Sequence, residues 1–224
     1  MKILALTSIR SDYDLLSPLY NLLDKDEGID FKLLVSGAHL SKDFGHTIDQ
    51  IVKDGFEILL EIETLIHSDT PKSRLKTASL LLQNSIDIVA KFTPDVLLYA
   101  GDREDVMVGA LLGTYLNIPT IHFYGGDHED DGHQDTYIRH ATSKLSSLHF
   151  VSTFEHQQRL LALGESEKRI FNIGSISLDR LVDVKKTPIN DSFTKNIPKN
   201  FSLLIFHPIL GEDSAFIFEN ILKY

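Results

Sequence analysis

Cysteine and long apolar runs are missing from this sequence, and basic residues are few. The absence of cysteine among its 224 residues excludes disulfide bonds, thiol nucleophiles and thiolate metal ligands, and it fits a reducing compartment. Lysine and arginine number 22 against 32 acidic residues, giving a formal net charge of -10. Binding to a phosphate backbone needs clustered basic residues, and the sequence has no basic run, so we expect no nucleic-acid partner.

The opening segment "MKILALTSIRSD" is apolar but too short for a signal peptide or a membrane span. We therefore expect a cytoplasmic protein that does not enter the membrane. Hydrophobic residues make up 42% of the chain and charged residues 24%, as in ordinary globular proteins. A chain of this length can bury a full hydrophobic core, and we expect one domain plus a smaller remnant.

Short apolar runs alternate with longer segments whose apolar residues recur at spacings of three and four, the pattern of alternating strands and helices. The predicted strands are Ile3–Leu6, Phe31–Val35, Phe56–Leu60, Val96–Ala100, Thr120–Phe123, Leu148–Val151 and Ile170–Ile173. Helices are predicted at 11–25, 73–92, 104–117 and 153–164, the last closed by Gly164. This order predicts an α/β fold with a parallel sheet covered by helices on both faces. A closed eight-stranded barrel is the rival, but too few strands precede the polar linker.

Two of the predicted helices have leucine-rich faces that we expect to pack on the sheet. The first face comprises Leu15, Leu16, Leu19, Leu22 and Leu23, and the second comprises Leu75, Leu81, Leu82, Ile86 and Val89.

The polar stretch at 184–199 interrupts the alternation and is predicted to be a linker between a first domain, 1–183, and a final segment, 200–224. In that segment "FSLLIFHP" is predicted to be a strand and "EDSAFIFENILKY" a helix. One strand and one helix cannot form a core. The segment therefore packs on the first domain, pairs with another chain, or begins a second domain, and we expect Phe216, Ile217 and Ile221 to be buried.

Polar residues follow two early strands, where ligands bind in open parallel sheets. Arg10, in "TSIRSDYD", stands near the start of a predicted helix, where backbone N–H groups and a guanidinium suit a phosphate. The alternative is a surface residue beside an N-cap. His39, in "VSGAHLS", either faces the same cleft or is a solvated or capping loop residue.

Two later connections carry carboxylates. Asp102, in "YAGDREDV", is either an N-cap or a carboxylate held at the cleft, and Asp105 is the stronger capping candidate. In "GGDHEDDGHQDTYIRH", the glycines permit a sharp turn that sets Asp127 at a strand end, and Asp135 begins the next helix. We assign residues 129–131 to solvent.

Such a concentration of acids and histidines is compatible with a metal cage or with acid/base chemistry. Asp and His ligands suffice for manganese or zinc, but no His-x-x-x-His pair lies on a predicted helix and the spacing matches no metal pattern. Carboxylates facing one another across strand ends are better suited to acid/base work, because their environments can separate their pKa values.

The four connections together resemble the hydrolysing UDP-N-acetylglucosamine 2-epimerases, the family that begins sialic and legionaminic acid synthesis from a nucleotide sugar. The matching motifs are "RSDY" at Arg10–Tyr13, "SGAHL" at Ser36–Leu40, "GDRED" at Gly101–Asp105, "GGD" at Gly125–Asp127, "DTYIRHATSKLS" at Asp135–Ser146, "FVST" at Phe150–Thr153, "GSISLDRL" at Gly174–Leu181 and "FHP" at Phe206–Pro208. The ordered set spans essentially the whole chain and is specific, although each motif alone is weak.

The resemblance implies two Rossmann-like domains in the glycosyltransferase-B arrangement, of which this chain holds the first and the start of a truncated, nucleotide-binding second. It implies anti elimination of UDP from UDP-N-acetylglucosamine, then addition of water to release N-acetylmannosamine, without a cofactor or metal. The implied catalytic residues are Asp102, Asp127, Asp135 and His207. The implied substrate-binding residues are Arg10, His39, Arg103, Arg139 and His140. Dimers or tetramers are common in the family, so we expect a homo-oligomer.

The sequence departs from the family pattern near the sugar. Asp127 stands where the family usually has Glu, and the loop before Asp135 is longer by about two residues. Epimerases of UDP-N,N'-diacetylbacillosamine are therefore the natural alternative. Because the chain is much shorter than family members, a non-catalytic fragment that binds ligand weakly or only self-associates is a second alternative. An acidic metal-dependent hydrolase, sensitive to chelators, is the third.

Overall fold

A computed structural model of the chain describes residues 1–68, 70–129, 134–181, 197–198, 200–206 and 213–223. Its contacts divide the chain into two compact units, Met1–Val184 and Lys185–Tyr224. Most of the predicted linker, and His207, lie outside the described residues.

The first unit is built on a seven-stranded sheet in which every described pairing is parallel, with strand order β3-β2-β1-β4-β5-β6-β7. The strands are β1 (Lys2–Thr7), β2 (Asp30–Ser36), β3 (Ile58–Ile62), β4 (Val96–Ala100), β5 (Thr120–Phe123), β6 (Leu148–Val151) and β7 (Ile170–Asn172). All seven predicted strands are present. The third begins two residues later than predicted, at Ile58, because its pairing with β2 starts there, opposite Leu33.

Helices cover both faces of this sheet, as predicted. They are α1 (Arg10–Asp24), α2 (Ile48–Asp54), α3 (Pro71–Phe92), α4 (Glu104–Leu116), α5 (Gln134–Leu145) and α6 (Phe154–Ala162). Along β1, Ile3 and Ala5 pack with α1 and α2, whereas Leu4 and Leu6 pack with α3 and α4. Because both faces are buried, the strands are apolar at successive positions, as expected for a parallel sheet. The Rossmann-like fold is confirmed.

The predicted helix faces were partly wrong. In α1 the buried stripe is Tyr13, Leu16 and Tyr20, and Leu22 is 68% exposed. In α3 Leu81 and Val89 are buried, but Leu75 is 74% exposed. Ile86 is also exposed. A helix turns about 100° per residue, so the face of α1 that buries Tyr13 and Tyr20 leaves Leu22 pointing outwards. Gly164 has φ of 83° just beyond the end of α6, as predicted for a closing glycine.

In the second unit, the predicted strand at "FSLLIFHP" is not observed over its described residues, 201–206. A single extended segment needs a neighbouring strand to satisfy its backbone groups, and none pairs with it among the described residues. The predicted helix is present as α7 (Ser214–Ile221), capped by the Asp213 side chain. Phe216 is 62% exposed. Burial of Phe216, Ile217 and Ile221 by the first domain or by another protomer stays a prediction. None of the described helices is long and apolar enough to cross a membrane.

Candidate active site

The carboxyl ends of β1, β4 and β5 define the place where a ligand is expected. From β1 the chain adds β2 and β3 on one side of β1, and it then adds β4 to β7 on the other side. The strand order therefore reverses between β1 and β4. Loops leaving the carboxyl ends on either side of such a reversal form a crevice. Asp102 follows β4 and Asp127 follows β5.

A buried arginine joins these two aspartates. Arg139 lies on α5, and its side chain is only 8% exposed. Its Nη2 donates to Asp102 Oδ2, and its Nη1 lies 2.8 Å from Asp127 Oδ2. Because one guanidinium spans both carboxylates, the connections after β4 and β5 and the helix α5 are held as one unit. Three of the predicted site residues are thus brought together.

Asp127 is held through both of its oxygens. Its Oδ1 accepts from the backbone N–H of His128 at 2.9 Å and lies 3.3 Å from His156 Nε2, on α6. Burial raises the pKa of Asp127, but the charge of Arg139 and these hydrogen bonds outweigh it, so the pKa lies below its ordinary value. The carboxylate is therefore ionised and can act as a base.

The structure decides between the two interpretations of Asp102. The N-cap of α4 is Arg103, and no side chain of the described residues caps this helix. Asp102 instead pairs with Arg139, so it is a carboxylate at the cleft. The prediction that Asp105 caps α4 was wrong, because the helix begins at Glu104. Asp105 is buried inside the first turn, and that burial raises its pKa.

Asp135 lies in the first turn of α5, as predicted, and is bound by an arginine that the sequence analysis missed. Arg74 Nη2 lies 2.8 Å from Asp135 Oδ1 and 2.6 Å from Glu104 Oε2. Arg74 therefore ties the start of α4 to the start of α5. The sequence offered no signal for this, because Arg74 lies on a long helix whose polar residues read as solvated.

His140 follows Arg139 and stacks on His128, with ring centroids 5.6 Å apart and an interplanar angle of 16°. Its Nε2 lies 3.3 Å from His128 Nδ1. Burial lowers the pKa of His140, and the nearby His128 and Arg139 lower it further. Arg103 Nη2 lies 3.7 Å from Glu104 Oε1, and its Nε lies 3.9 Å from Asp105 Oδ1. His140 and Arg103 both border the carboxylate cluster. Their substrate-binding roles stay predictions.

Arg10 and His39 lie in the connections that follow β1 and β2. Arg10 is the first residue of α1, has a side chain 75% exposed, and lines a cleft with His46 and Thr47. His39 is fully buried, 2.9 Å from Thr7 Oγ1 and 2.7 Å from Thr47 Oγ1. Burial lowers the pKa of His39 to about 4. With both ring nitrogens bound, His39 holds its loop, and neither the solvated nor the capping alternative describes it.

Gly126→Ala is expected to destabilise the fold and to displace Asp127. Gly126 has φ of 80°, and an added Cβ would lie 2.3 Å from the carbonyl oxygen of His156. Gly164→Ala is the matched control, because Gly164 has φ of 83° but an added Cβ would meet no described atom within 4 Å. Both variants incur a left-handed backbone cost of about 1 kcal/mol. The clash should lower the unfolding free energy of Gly126→Ala by about 1–3 kcal/mol more. Chemical denaturation measures both, and equal losses would contradict the clash.

The described part of the site consists mainly of carboxylates and arginines. Across the described residues, no group of three His, Asp or Glu side chains is placed to hold a metal ion. The site consists instead of carboxylates paired with Arg139 and Arg74, with His156 and Arg159 of α6 behind them. Arg159 donates to the Gly126 carbonyl oxygen. Such a site provides carboxylates held in fixed positions by arginines.

Comparison with known proteins agrees with the sequence motifs. The chain is 36% identical to the UDP-N,N'-diacetylbacillosamine 2-epimerase (hydrolyzing) of Legionella pneumophila, covering 94% of this chain and 56% of that protein. It is 33% identical to the GDP/UDP-N,N'-diacetylbacillosamine 2-epimerase (hydrolyzing) of Campylobacter jejuni, covering 93% and 54%. The chain thus spans about half the length of the curated relatives it matches.

A solved structure shares the fold. The UDP-GlcNAc 2-epimerase of Neisseria meningitidis, bound to UDP-GlcNAc, superposes with a TM-score of 0.75 at 20% identity, covering 87% of this chain and 52% of that one. The model of the UDP-N-acetylglucosamine 2-epimerase family matches residues 21–224. With its strand order, its carboxylate cluster and this match, the chain belongs to the UDP-N-acetylglucosamine 2-epimerase family.

Proposed function

We propose that the protein is a hydrolysing UDP-sugar 2-epimerase that converts UDP-N-acetylglucosamine and water to N-acetylmannosamine and UDP. The observation that carries this proposal is the pair Asp102 and Asp127, held by Arg139 at the strand reversal of a chain that belongs to this family. The reaction needs a base at C2, an acid at the departing or attacking oxygen, and a directed water. A fixed cluster of carboxylates supports those requirements.

In this proposal one carboxylate removes the C2 proton as the C1–O bond to UDP breaks, which leaves a 2-acetamidoglucal and UDP. Water then adds across the double bond, with its hydroxyl going to C1. A proton is added to C2 on the face opposite to the one from which the first proton was removed, which inverts C2. Because Asp102 and Asp127 follow neighbouring strands and share Arg139, we assign the base role to this pair. We assign Asp135 and His207 to the remaining proton transfers. Arg10, His39, Arg103, Arg139 and His140 are assigned to substrate binding or to holding the cleft.

UDP-N,N'-diacetylbacillosamine is the second candidate substrate. The relatives that are 36% and 33% identical to this chain are both named for epimerisation of that sugar. Asp127 also stands where the resemblance expects the longer Glu. Location in the cytoplasm, a sialic acid-type pathway, and assembly as a dimer or tetramer belong to the same proposal.

Proton NMR in deuterated water tests the reaction and the substrate together. The protein, in its full natural length, is incubated with UDP-N-acetylglucosamine and, separately, with UDP-N,N'-diacetylbacillosamine. We expect free UDP, the 2-epimeric free sugar and deuterium at C2. A rate larger for the second sugar would reassign the substrate. Turnover of neither sugar by the full protein would refute the epimerase proposal and favour the binding-only alternative, whereas dependence on a metal removable by chelators would favour the hydrolase.

A further inference from the structure

A fully buried histidine contacts the backbone of the residue that precedes Asp102. His122 lies on β5 and is 0% exposed. Its Nε2 is 2.8 Å from the carbonyl oxygen of Gly101, and its Nδ1 is 3.0 Å from Ser143 Oγ. A carbonyl oxygen can only accept, so Nε2 carries the proton and Nδ1 accepts from the serine hydroxyl. The two hydrogen bonds thus determine the tautomer.

These contacts fix the peptide that carries Asp102. Gly101 has φ of 96°, a backbone conformation that favours glycine. Its N–H donates to the carbonyl oxygen of Phe123 at 3.2 Å, while its own carbonyl accepts from His122. Both backbone polar groups of Gly101 are therefore bound by consecutive residues of β5. These two hydrogen bonds set the direction in which the chain leaves β4. They therefore also set the position of Asp102.

The same ring reaches the helix that carries the paired arginine. Ser143 is buried on α5, one turn beyond Arg139. Gly125 leaves room for the arrangement, since an added Cβ would lie 3.1 Å from His122 Nδ1 and 3.0 Å from Ser143 Oγ. Burial lowers the pKa of His122 to about 3, so the ring is neutral at physiological pH and adds no charge beside Arg139.

We propose that His122 is a positioning residue for the 2-epimerase reaction, because its ring fixes the Gly101–Asp102 peptide against α5. The proposal rests on the proposed function. It concerns a residue that does not touch the substrate and acts through Asp102.

Three variants of the full natural protein test it. His122→Phe keeps a ring of similar size without a donor, and we expect kcat to fall by about 10- to 100-fold, because a displacement of about 1 Å has effects of that order. KM should change little, because uniform substrate binding is retained. His122→Gln should recover most of kcat, since its amide N–H can reach the Gly101 carbonyl. His149→Gln is the matched control.

His149 suits that purpose because it lies beside His122 in the sheet register and is also 0% exposed. Its Nε2, however, faces Glu165 at 3.2 Å, away from the carboxylate cluster. We expect His149→Gln to lower the melting temperature without lowering kcat. Equal kcat for wild type and folded His122→Phe, or failure of folded His122→Gln to exceed His122→Phe, would overturn the positioning role.

A measurement without activity separates this proposal from the proposed function. Imidazole ¹⁵N NMR of the wild-type protein should show His122 neutral with its proton on Nε2 between pH 5 and 8. A protonated ring or an Nδ1–H tautomer would overturn the proposal even in an active enzyme. Absence of turnover in the wild-type protein would refute the epimerase reaction. The NMR result would still decide whether His122 donates a hydrogen bond to the Gly101 carbonyl oxygen.

Discussion

Asp102→Asn is expected to lower kcat by about 10²- to 10⁴-fold in the full natural protein, the range typical of a lost acid/base group. Asparagine has nearly the same shape but cannot take up a proton at working pH. Melting should fall only modestly, because Arg139 keeps its ion pair with Asp127. Release of UDP from the substrate, followed in a coupled assay, gives kcat and KM, and circular dichroism gives the melting temperature.

The same strand supplies a control for this variant. Asp95 precedes β4 at its other end, and its Oδ2 accepts from the backbone N–H of Lys2 at 2.7 Å. Asp95→Asn changes the same chemical group outside the proposed site, so kcat should remain near that of wild type. Full turnover by Asp102→Asn would remove Asp102 from the chemistry, whatever its effect on melting.

Arg139→Met is expected to lower the unfolding free energy by about 3 kcal/mol at neutral pH, because it leaves Asp102 and Asp127 without their shared counter-charge. Removing one partner of a buried ion pair typically costs about 3–5 kcal/mol of unfolding free energy. We expect the lower value because the Asp127 side chain is 45% exposed. Urea denaturation of the 224-residue chain measures the loss. Arg180→Met is the control: Arg180 forms an exposed pair with Asp14 at 2.7 Å, and its loss should cost less than about 1 kcal/mol.

The pH dependence of that loss follows from the lowered pKa of Asp127 in the folded protein. A carboxylate of this kind stabilises the fold above its unfolded pKa, about 3.9, and the contribution disappears as pH falls through the folded value. The difference between wild type and Arg139→Met should therefore be largest near neutral pH and narrow below about pH 4. A difference that stays constant from pH 7 to pH 3 would contradict the electrostatic explanation.

The residues of the candidate site divide by how far their partners lie along the chain. Asp102, Asp127 and Asp135 were predicted because each follows a strand or begins a helix, and the carboxyl ends of parallel strands meet at one edge. Arg74 binds a carboxylate 61 residues away, and His122 binds a carbonyl 21 residues away. Neither residue stands in a motif that local pattern could interpret.

By itself the sequence determined the seven strands, the order in which helices follow them and the family, because alternating apolar periods and ordered motifs are local properties of a chain. Only the tertiary structure decided that α1 buries Tyr13 and Tyr20 while exposing Leu22. It also decided that the N-cap of α4 is Arg103 and not Asp105, and that Arg139 binds two aspartates at once. The physical reason is that burial and ion pairing depend on which elements become neighbours in space, and the packing of helices on the sheet sets those neighbours.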